Sequence, residues 1–421
     1  MVIPIHPEIV DPPLRLPALE VGNAYRFHTM VKPAGAQCNL ECSYCYYLHK
    51  EDLLAQPKLT RMNELMLETH VRQYIAAQTG DEVVFSWQGG EPTLMGPAFF
   101  ERVVALQAKY RKPGQRIENN LQTNGVLLDE AWCGFLKQHR FLVGLSIDGP
   151  ADLHDVYRIN KGGGPSFQRV MHSVELLHRF RIPFSALCVV NRVNARKPND
   201  TYRFLRDKVR PRIIQFIPGL EPVDFRTVAP GYWKIEAMPQ LNSPRAKPGA
   251  TDSVVTAWSL DPDDWGYFLT RIWDEWLRRD YGRVFVDQFE NVISQMFGHG
   301  AQKCASSPVC GKGLAIEYNG DLFSCDHFVY EEYKLGNITQ MHQGDMAFSG
   351  KQQKFAGAKR EALPAYCKSC TYLKLCWGDC PKNRCIKTPD GEPGLSYLCS
   401  GLEQFYAKAM ASRHELVQRL G

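Results

Sequence analysis

The sequence predicts an α/β protein in which a partial barrel of six β/α units precedes a cysteine-rich C-terminal region. Strand and helix patterns alternate through the first half of the chain, and parallel strands need such crossover helices. Nine of the fourteen cysteines lie between Cys304 and Cys399. A stretch with five prolines, Glu221 to Leu260, separates the two regions. We therefore expect a barrel domain over 1–220, a loop and bridging helices over 221–300, and a further domain over 301–421.

Hydrophobic alternation and short apolar runs bounded by turn residues predict the strands of the barrel. These strands are Tyr25–Lys32, Val83–Trp87, Ile117–Thr123, Leu142–Asp148, Ser185–Val190 and Ile213–Ile217. Helical spacing predicts helices near Asn63–Gln78, Ala98–Lys112, Glu130–Gln138, Phe167–Phe180 and Asn199–Arg210. Six units fall short of the eight in a closed barrel. A flat, doubly wound sheet would show the same pattern, so periodicity alone leaves both architectures open.

We interpret the proline-rich stretch as a long loop that either covers the barrel mouth or forms a spacer. A helix with clear start signals follows it. Asp261 is a suitable N-cap, and Pro262 occupies the first helical position. Apolar residues then recur at helical spacing: Trp265, Phe268, Leu269, Ile272, Trp273, Trp276 and Leu277. This stripe predicts core packing. The region after residue 300 is dense in Gly, Pro and Cys, which predicts little regular structure, held together by metal.

Charge and hydropathy argue against several functions. The formal net charge is +5, and Lys and Arg are scattered, so nucleic acid is not indicated. No segment approaches the roughly 18 apolar residues of a membrane span, and Met1 to Leu19 lacks the basic start and apolar run of a signal peptide. Thiols in a reducing compartment stay free or bind metal. We therefore expect a cytoplasmic protein without nucleic-acid or membrane partners.

Three cysteines near the N-terminus, Cys38, Cys42 and Cys45, form the most informative motif, with the spacing C-x3-C-x2-C. Three thiolates can hold three irons of a [4Fe–4S] cube and leave the fourth iron open to a small molecule. The alternative is a zinc site, with His49 as its fourth ligand. A disulfide between such close cysteines is disfavoured.

Further candidate residues follow the predicted strands, where the loops of parallel α/β folds build active sites. Gly89, Gly90 and Glu91 come after the second strand. Paired glycines allow a ligand to approach the backbone, and Glu91 or backbone carbonyls can accept hydrogen bonds from an ammonium. Ser146, in the fourth strand, is placed to bond a ribose or carboxylate, and Arg158 a little further on can pair with a carboxylate.

The C-terminal cysteines suggest two further metal sites. Discounting one of the nine leaves eight thiols, enough for two closed [4Fe–4S] sites, and their core spacing is C-x2-C-x5-C-x3-C from Cys367 to Cys380. Two zinc sites remain an alternative. Spacing alone does not assign each cysteine to a site. Cys133 and Cys188 are predicted to be buried as small apolar residues.

These motifs resemble those of the radical S-adenosylmethionine (SAM) superfamily and, more narrowly, the anaerobic sulfatase-maturating enzymes with their SPASM extension. The resemblance covers Cys38–Tyr47, Trp87–Pro92, Gln122–Gly125, Ser146–Pro150, Gln215–Pro222, the eight C-terminal cysteines and Asp326. It implies a partial (β/α)6 radical SAM barrel followed by a SPASM-type domain, with one SAM-binding and two auxiliary [4Fe–4S] clusters. The stretch after Pro222 is longer than the family usually carries, which leaves the identity of the substrate open.

The resemblance also implies roles for single residues. The open iron at Cys38, Cys42 and Cys45 chelates SAM, the Gly89-Gly90-Glu91 turn binds its amino group, and Tyr44 and Leu220 contact adenine. One auxiliary cluster takes Cys304, Cys310, Cys325 and Cys380, and the other takes Cys367, Cys370, Cys376 and Cys399. Cys385 is then a spectator, although it could replace Cys380 or Cys399. Asp326 acts as the base on the substrate. By chemistry alone Asp326 is a loop acid, and His327 is a competing base.

The implied reaction is the oxidation of a cysteine or serine in a sulfatase to 3-oxoalanine, or Cα-formylglycine. One electron cleaves SAM to methionine and a 5′-deoxyadenosyl radical, which removes a β-hydrogen from the substrate. Asp326 takes the thiol or hydroxyl proton, and an auxiliary cluster takes the substrate electron. The implied partners are a sulfatase polypeptide and an electron donor such as flavodoxin or ferredoxin. A SPASM enzyme that crosslinks another ribosomal peptide is the nearer alternative, and a zinc scaffold protein the farther one.

Overall fold

A single ten-stranded sheet organises the residues that the computed structural model describes, 27–311 and 313–420. Its strands are β1 (His28–Lys32), β2 (Glu82–Trp87), β3 (Arg116–Thr123), β4 (Leu142–Ser146), β5 (Phe184–Val190), β6 (Ile213–Pro218), β7 (Phe285–Val286), β8 (Gly313–Glu317), β9 (Asp321–Phe323) and β10 (Lys334–Asn337). Their order is β10-β9-β8-β1-β2-β3-β4-β5-β6-β7. Neighbours from β8 to β7 pair in parallel, whereas β9 and β10 are antiparallel.

The strand order distinguishes between the two predicted architectures. Strands β1 to β6 follow one another in chain order, without the reversal that marks the switch point of a doubly wound sheet. The predicted open barrel of six β/α units is therefore confirmed, with β7 and β8 added at its two edges. Sequence reasoning missed both additions, because β7 has two residues and β8 comes from the cysteine-rich region.

Helices cross over between the barrel strands. They are α1 (Lys50–Leu53), α2 (Glu64–Ala77), α3 (Pro97–Tyr110), α4 (Glu130–Gln138), α5 (Ala151–His154), α6 (Phe167–Arg179), α7 (Pro198–Phe204), α8 (Pro262–Arg279) and α9 (Asp287–Met296). Four predicted helices are confirmed as α2, α3, α4 and α6. The fifth is α7 continued by a π-helical turn over Leu205–Val209.

Two predicted strands need adjustment. The first was expected from Tyr25, and its residues 25–26 lie outside the described part of the chain. The fourth ends at Ser146 rather than Asp148. The Asp148 carboxylate, instead of a backbone carbonyl, accepts the hydrogen bond from the Val189 backbone at 2.9 Å, so the regular ladder stops before it.

The expectation of little regular structure after residue 300 is wrong. This region contributes β8 to β10, the hairpin of β11 (Ile386–Lys387) and β12 (Pro393–Leu395), and the helices α10 (Gln343–Ala347), α11 (Gly350–Glu361), α12 (Ala365–Lys368), α13 (Leu373–Cys376), α14 (Cys399–Ala411) and α15 (Arg413–Leu420). The physical reason lies in β8, where Leu314 and Ile316 are fully buried. An apolar strand of this kind pairs with the free edge of β1, so the barrel core continues into the C-terminal region.

The proline-rich segment 221–260, which we call the strap, is irregular as predicted but is held in place at both sides. Pro222 and Val255 form a β-bridge across its base. The Tyr330 hydroxyl donates a hydrogen bond to the Phe225 carbonyl at 2.5 Å. Further along, Gln240 bridges to Lys387 of β11. The strap therefore joins the barrel to the C-terminal region and is not a free spacer.

Helix α8 is the packing centre of the second half of the chain. Asp261 caps it as predicted, because its carboxylate accepts the backbone N–H of Asp263 at 2.9 Å. Its aromatic stripe is confirmed as core, with Trp273 and Trp276 fully buried. Each such side chain stabilises the fold by about 1.5–3 kcal/mol relative to an exposed one. A Cβ atom on Gly401 of α14 would lie 2.0 Å from the Pro262 carbonyl oxygen, so glycine permits the two helices to approach.

Candidate active site

The three N-terminal cysteines lie on the loop that follows β1, at the carboxyl edge of the barrel. The backbone N–H of Cys45 donates to the Cys42 carbonyl at 3.0 Å, which folds the motif into a turn. Burial raises the pKa of Cys38 and raises that of Cys42 to about 12, and the three thiols raise one another's pKa because they are neighbours. Such thiols ionise when a metal binds, which agrees with a cluster site.

The glycine turn after β2 packs directly against the cysteine loop. Gly90 donates its backbone N–H to the Gly35 carbonyl at 2.9 Å, and Glu91 donates to the Gln37 carbonyl at 2.7 Å. A Cβ atom on Gly90 would lie 1.9 Å from the Gln37 carbonyl oxygen. The close approach that requires glycine here is thus between two segments of the chain itself.

The Glu91 carboxylate joins the loops that follow β2 and β3. It is fully buried, and it accepts hydrogen bonds from the Thr93 backbone at 2.9 Å, the Thr93 hydroxyl at 2.6 Å, the Thr123 hydroxyl at 2.8 Å and the Asn124 backbone at 2.8 Å. These four donors occupy both carboxylate oxygens. Three of the donors bond Oε1 and one bonds Oε2. That Glu91 or the backbone carbonyls of the turn bind an ammonium stays a prediction.

Arg158 lies beside the cysteine loop, although its observed partner is a protein carboxylate. Its Nε donates to Asp148 at 3.0 Å, and the Tyr44 hydroxyl donates to the same carboxylate. The guanidinium carbon lies 5.5 Å from the centre of the Tyr44 ring. Sequence reasoning missed Asp148 as a site residue, although it stands in the same short run as Ser146.

The remaining predicted SAM contacts lie at the same edge of the barrel. Ser146 is the last residue of β4 and is largely buried. Leu220 follows β6, and its carbonyl accepts a hydrogen bond from the Lys382 ammonium at 2.8 Å. That SAM binds among Tyr44, Ser146 and Leu220 stays a prediction.

Asp326 is held by two groups from the first loop of the barrel. Its carboxylate forms an ion pair with Lys32, the last residue of β1, and accepts a hydrogen bond from the Tyr46 hydroxyl at 2.5 Å. Burial by itself raises the pKa of Asp326, but the Lys32 ammonium outweighs it and the pKa is lowered overall. The carboxylate is therefore ionised and oriented.

The pairing of β1 with β8 produces this arrangement. Lys32 stands opposite Glu317 in the parallel ladder, and the chain returns through β9 to Asp326. Sequence reasoning missed Lys32 and did not assign a role to Tyr46. The available signal was a lysine at the end of the first barrel strand, directly before the cysteine loop.

His327, the competing base, lacks such partners. Burial lowers its pKa to about 4, so the ring is neutral near pH 7. Its centre lies 5.1 Å from that of the Tyr46 ring, and within the described residues its Nδ1 has no hydrogen-bond partner. The geometry thus favours Asp326 as the base.

The C-terminal cysteines fall into two groups in space. Burial raises the pKa of Cys325, and the nearby thiols of Cys304, Cys380 and Cys310 raise it further. Burial likewise raises the pKa of Cys399, with further contributions from Cys376, Cys367 and Cys370. This grouping is the one that the family resemblance implies. That these thiols bind iron stays a prediction.

The remaining C-terminal cysteine, Cys385, has different neighbours. It is buried, and the charged groups near it are Lys382, Asp224 and Glu221.

Cys133 in α4 and Cys188 in β5 are fully buried, as predicted. No disulfide joins any of the fourteen cysteines.

A buried arginine lies between the two thiol groups. Arg384 donates hydrogen bonds to the carbonyls of Gly378 at 2.9 Å, Lys359 at 2.7 Å and Trp377 at 2.9 Å. Its charge lies near Cys310 of one group and Cys367 of the other. The guanidinium thus fixes the backbone that separates the groups.

Groups of four thiolates suit zinc as well as iron–sulfur clusters. Over 27–311 and 313–420, no group of three or more His, Cys, Asp or Glu side chains is arranged to hold a metal ion. Zinc draws its sulfur ligands to about 2.3 Å from one point. A four-iron cube is larger, binds thiolates at its corners and so keeps them further apart.

Comparison with known proteins agrees with the fold and the site. The radical SAM superfamily model matches residues 33–205, and the model of an iron–sulfur cluster-binding domain, SPASM, matches residues 304–371. A serine-type anaerobic sulfatase-maturating enzyme of Bacteroides thetaiotaomicron is 41% identical over 90% of this chain and 88% of its own length. A cysteine-type enzyme of Clostridium perfringens is 31% identical over 90% of this chain and 95% of its own.

Solved structures show the same likeness. Native anSMEcpe with bound AdoMet and Cp18Cys peptide superposes with a TM-score of 0.79 at 29% identity, covering 94% of this chain and 100% of that one. SuiB of Streptococcus suis bound to its precursor peptide SuiA shares the fold at a TM-score of 0.57 and 15% identity, covering 89% of this chain and 76% of its own. In the part of the chain described, no helix combines the length and apolar character needed to cross a membrane.

The open barrel, the three-cysteine loop and the cysteine-rich extension define a radical SAM protein with a SPASM domain. Within that class, the identity to the maturases extends over nearly the whole chain. This chain belongs to the anaerobic sulfatase-maturating enzymes.

Proposed function

We propose that this chain oxidises a cysteine or serine side chain of a sulfatase polypeptide to formylglycine. The observation that carries the proposal is the position of Asp326. Its carboxylate is bonded by Tyr46, which directly follows Cys45, and it directly follows Cys325 in the chain. An ionised base therefore lies between the loop that would bind SAM and the first C-terminal thiol group.

SAM, bound at the open iron of a cluster on Cys38, Cys42 and Cys45, supplies the radical that removes the substrate hydrogen. The chain's own part is to place the substrate side chain and to receive its proton. Asp326 accepts that proton from the thiol or hydroxyl. Lys32 and Tyr46 keep the carboxylate charged and oriented.

The two C-terminal thiol groups suit auxiliary clusters that receive the substrate electron. Cys325, a member of the first group, is the neighbour of the base in the chain. We assign the supply of electrons to a small carrier such as flavodoxin or ferredoxin. We place the enzyme in the cytoplasm, because a chain with fourteen cysteines and no disulfide suits a reducing compartment.

The test uses enzyme reconstituted with iron and sulfide under anaerobic conditions, SAM, a reductant, and two sulfatase-derived peptides that differ only in cysteine or serine at the target. Mass spectrometry should find an aldehyde that reacts with a hydrazide probe, together with 5′-deoxyadenosine. A peptide in which alanine replaces the target is the control and should stay unmodified. A product that has lost two hydrogens but does not react with the hydrazide would indicate a crosslink instead and would refute the proposal.

A further inference from the structure

Lys50 is a buried ammonium without a hydrogen-bond acceptor. Its side chain is 1% exposed, and within the described residues its Nζ atom has no hydrogen-bond partner. It lies 3.1 Å from the centre of the Tyr330 ring, a cation–π contact that compensates only part of the lost hydration. A buried charge normally has a partner. The lack of one indicates that the acceptor for Lys50 comes from outside the chain.

The surroundings of Lys50 are rigid. The Tyr330 hydroxyl is bonded to the strap at Phe225, and the Phe225 ring packs edge-on against His49 at 4.9 Å between ring centres. Lys50 thus lies where the first loop of the barrel, the strap and the C-terminal region meet.

Other unmet hydrogen-bonding groups lie nearby. Both ring nitrogens of His49 and the Nδ1 of His327 are buried without partners in the described structure. Lys50 lies near Asp326 and His327, because Asp326 raises the pKa of Lys50 and Lys50 lowers the pKa of His327. Unpartnered polar atoms are rare in protein interiors. Several of them around the Lys50 amine indicate a place for a polar ligand.

Four carboxylates lie near Lys50. Asp326 is paired with Lys32, and the other three are engaged or exposed. Glu221 is paired with Lys382 at 2.5 Å, Glu317 accepts from Tyr47 and from Gln56, and Glu332 faces solvent. A ligand carboxylate would add a further negative charge to this cluster. A neutral acceptor, such as an amide carbonyl, avoids that repulsion.

We propose that Lys50 binds a main-chain carbonyl of the substrate polypeptide and so positions the target side chain over Asp326. This inference rests on the proposed function, because it assumes a polypeptide at this site. Burial lowers the pKa of Lys50 to about 7, which agrees with an ammonium whose charge is incompletely compensated until the substrate binds.

The test measures peptide binding rather than turnover. A fluorescein-labelled sulfatase peptide is titrated with reconstituted, SAM-bound enzyme carrying Lys50→Met, and anisotropy reports the dissociation constant. Methionine keeps the packing on Tyr330 and removes the ammonium. Because a hydrogen bond from a charged group is lost, Kd should rise by about tenfold or more. Lys137→Met, on the exposed end of α4, is the matched control and should leave Kd unchanged.

Two further measurements sharpen the result. The Kd for SAM and the melting temperature of Lys50→Met should not fall, because a buried unpaired charge has been removed. Should the variant be poorly folded, Lys50→Leu replaces it, because leucine also lacks a hydrogen-bond donor. A second peptide, with amides in place of its acidic side chains, should show the same loss of affinity. If the loss disappears with that peptide, Lys50 binds a carboxylate and the assignment to a carbonyl is wrong.

The outcomes separate this inference from the proposed function. If the wild-type enzyme binds and converts the peptide and Lys50→Met binds it equally well, the role of Lys50 is refuted and the proposed function stands. If the wild-type enzyme neither binds nor converts the peptide, the proposed function and the role of Lys50 are both refuted.

Discussion

Replacing Asp326 with asparagine tests the base at the centre of the site. Asparagine keeps the shape and can still accept the hydrogen bond from Tyr46, but it cannot take a proton from the substrate. General base catalysis contributes about 10²–10⁴-fold to a rate. We therefore expect Asp326→Asn to form formylglycine at least about 100-fold more slowly while SAM is still cleaved, because the cysteine loop is untouched.

The same substitution also lowers stability, and the structure gives the size of the effect. Lys32 is 1% exposed, and Asp326 is its ion-pair partner. Removing one partner of a buried pair costs about 3–5 kcal/mol, because the other charge is left unpaired. The double variant Lys32→Met with Asp326→Asn removes both charges. It should regain most of the lost stability, yet it still lacks a base.

The assay quantifies 5′-deoxyadenosine and formylglycine by mass spectrometry in the same reaction, and thermal melting follows the stability of each variant. The ratio of deoxyadenosine to formylglycine should rise about 100-fold or more in Asp326→Asn and stay high in the double variant. Tyr46→Phe keeps the ion pair and loses one hydrogen bond worth about 1 kcal/mol, so it should lose less than about tenfold in product formation.

Two results would refute this reasoning. Wild-type rates of formylglycine formation in Asp326→Asn would exclude the carboxylate as the base. Recovery of product in the double variant, in step with its melting temperature, would show that Asp326 acts only through stability. His327 would then become the candidate base.

Three further predictions concern other parts of the chain. Cys42→Ala should abolish SAM cleavage, measured as 5′-deoxyadenosine, because it removes one of three thiols from the predicted cluster; retained cleavage would contradict the cluster site. Glu91→Gln should lower the free energy of unfolding by about 3 kcal/mol in chemical denaturation, because the new amide NH₂ must face a buried donor. Glu101→Gln, on the exposed face of α3, is the control and should change it by less than about 0.5 kcal/mol. Burial lowers the pKa of His70 from 6.5 to about 3, so the folded form resists protonation. Above pH 6.5, His70 does not change the free energy of unfolding. As the pH falls below 6.5 this free energy should decrease, by about 2 kcal/mol at pH 5. His70→Phe should remove this part of the pH dependence.

Local patterns predicted most of the barrel. Strands β1 to β6 and the crossover helices follow from periods of two and 3.6 residues, which neighbouring residues determine. Asp261 and Pro262 predicted the start of α8 for the same reason. The cysteine-rich region was misjudged because its Gly, Pro and Cys content masked β8, whose partner is far away in the chain. Paired strands gain stability from each other, and a single segment does not reveal its partner.

The candidate site divides in the same way. The thiol spacing, the glycine turn and Asp326 are visible in the sequence, because each is a short motif on a loop. Four features of the site are not visible in the sequence, because they join residues from distant segments. They are the ion pair of Lys32 with Asp326, the four donors around Glu91, the pairing of Arg158 with Asp148, and the Lys50 amine, which has no hydrogen-bond partner among the described residues.

The chain by itself determined which residues stand at the ends of strands and which thiols lie close together along the backbone. Only the tertiary structure decided which of them meet. The parallel pairing of β1 with β8 brings Lys32 beside Asp326, and the strap closes over the same edge. Such contacts depend on burial and on register between distant segments. Both are set by packing the whole core, and no local pattern contains them.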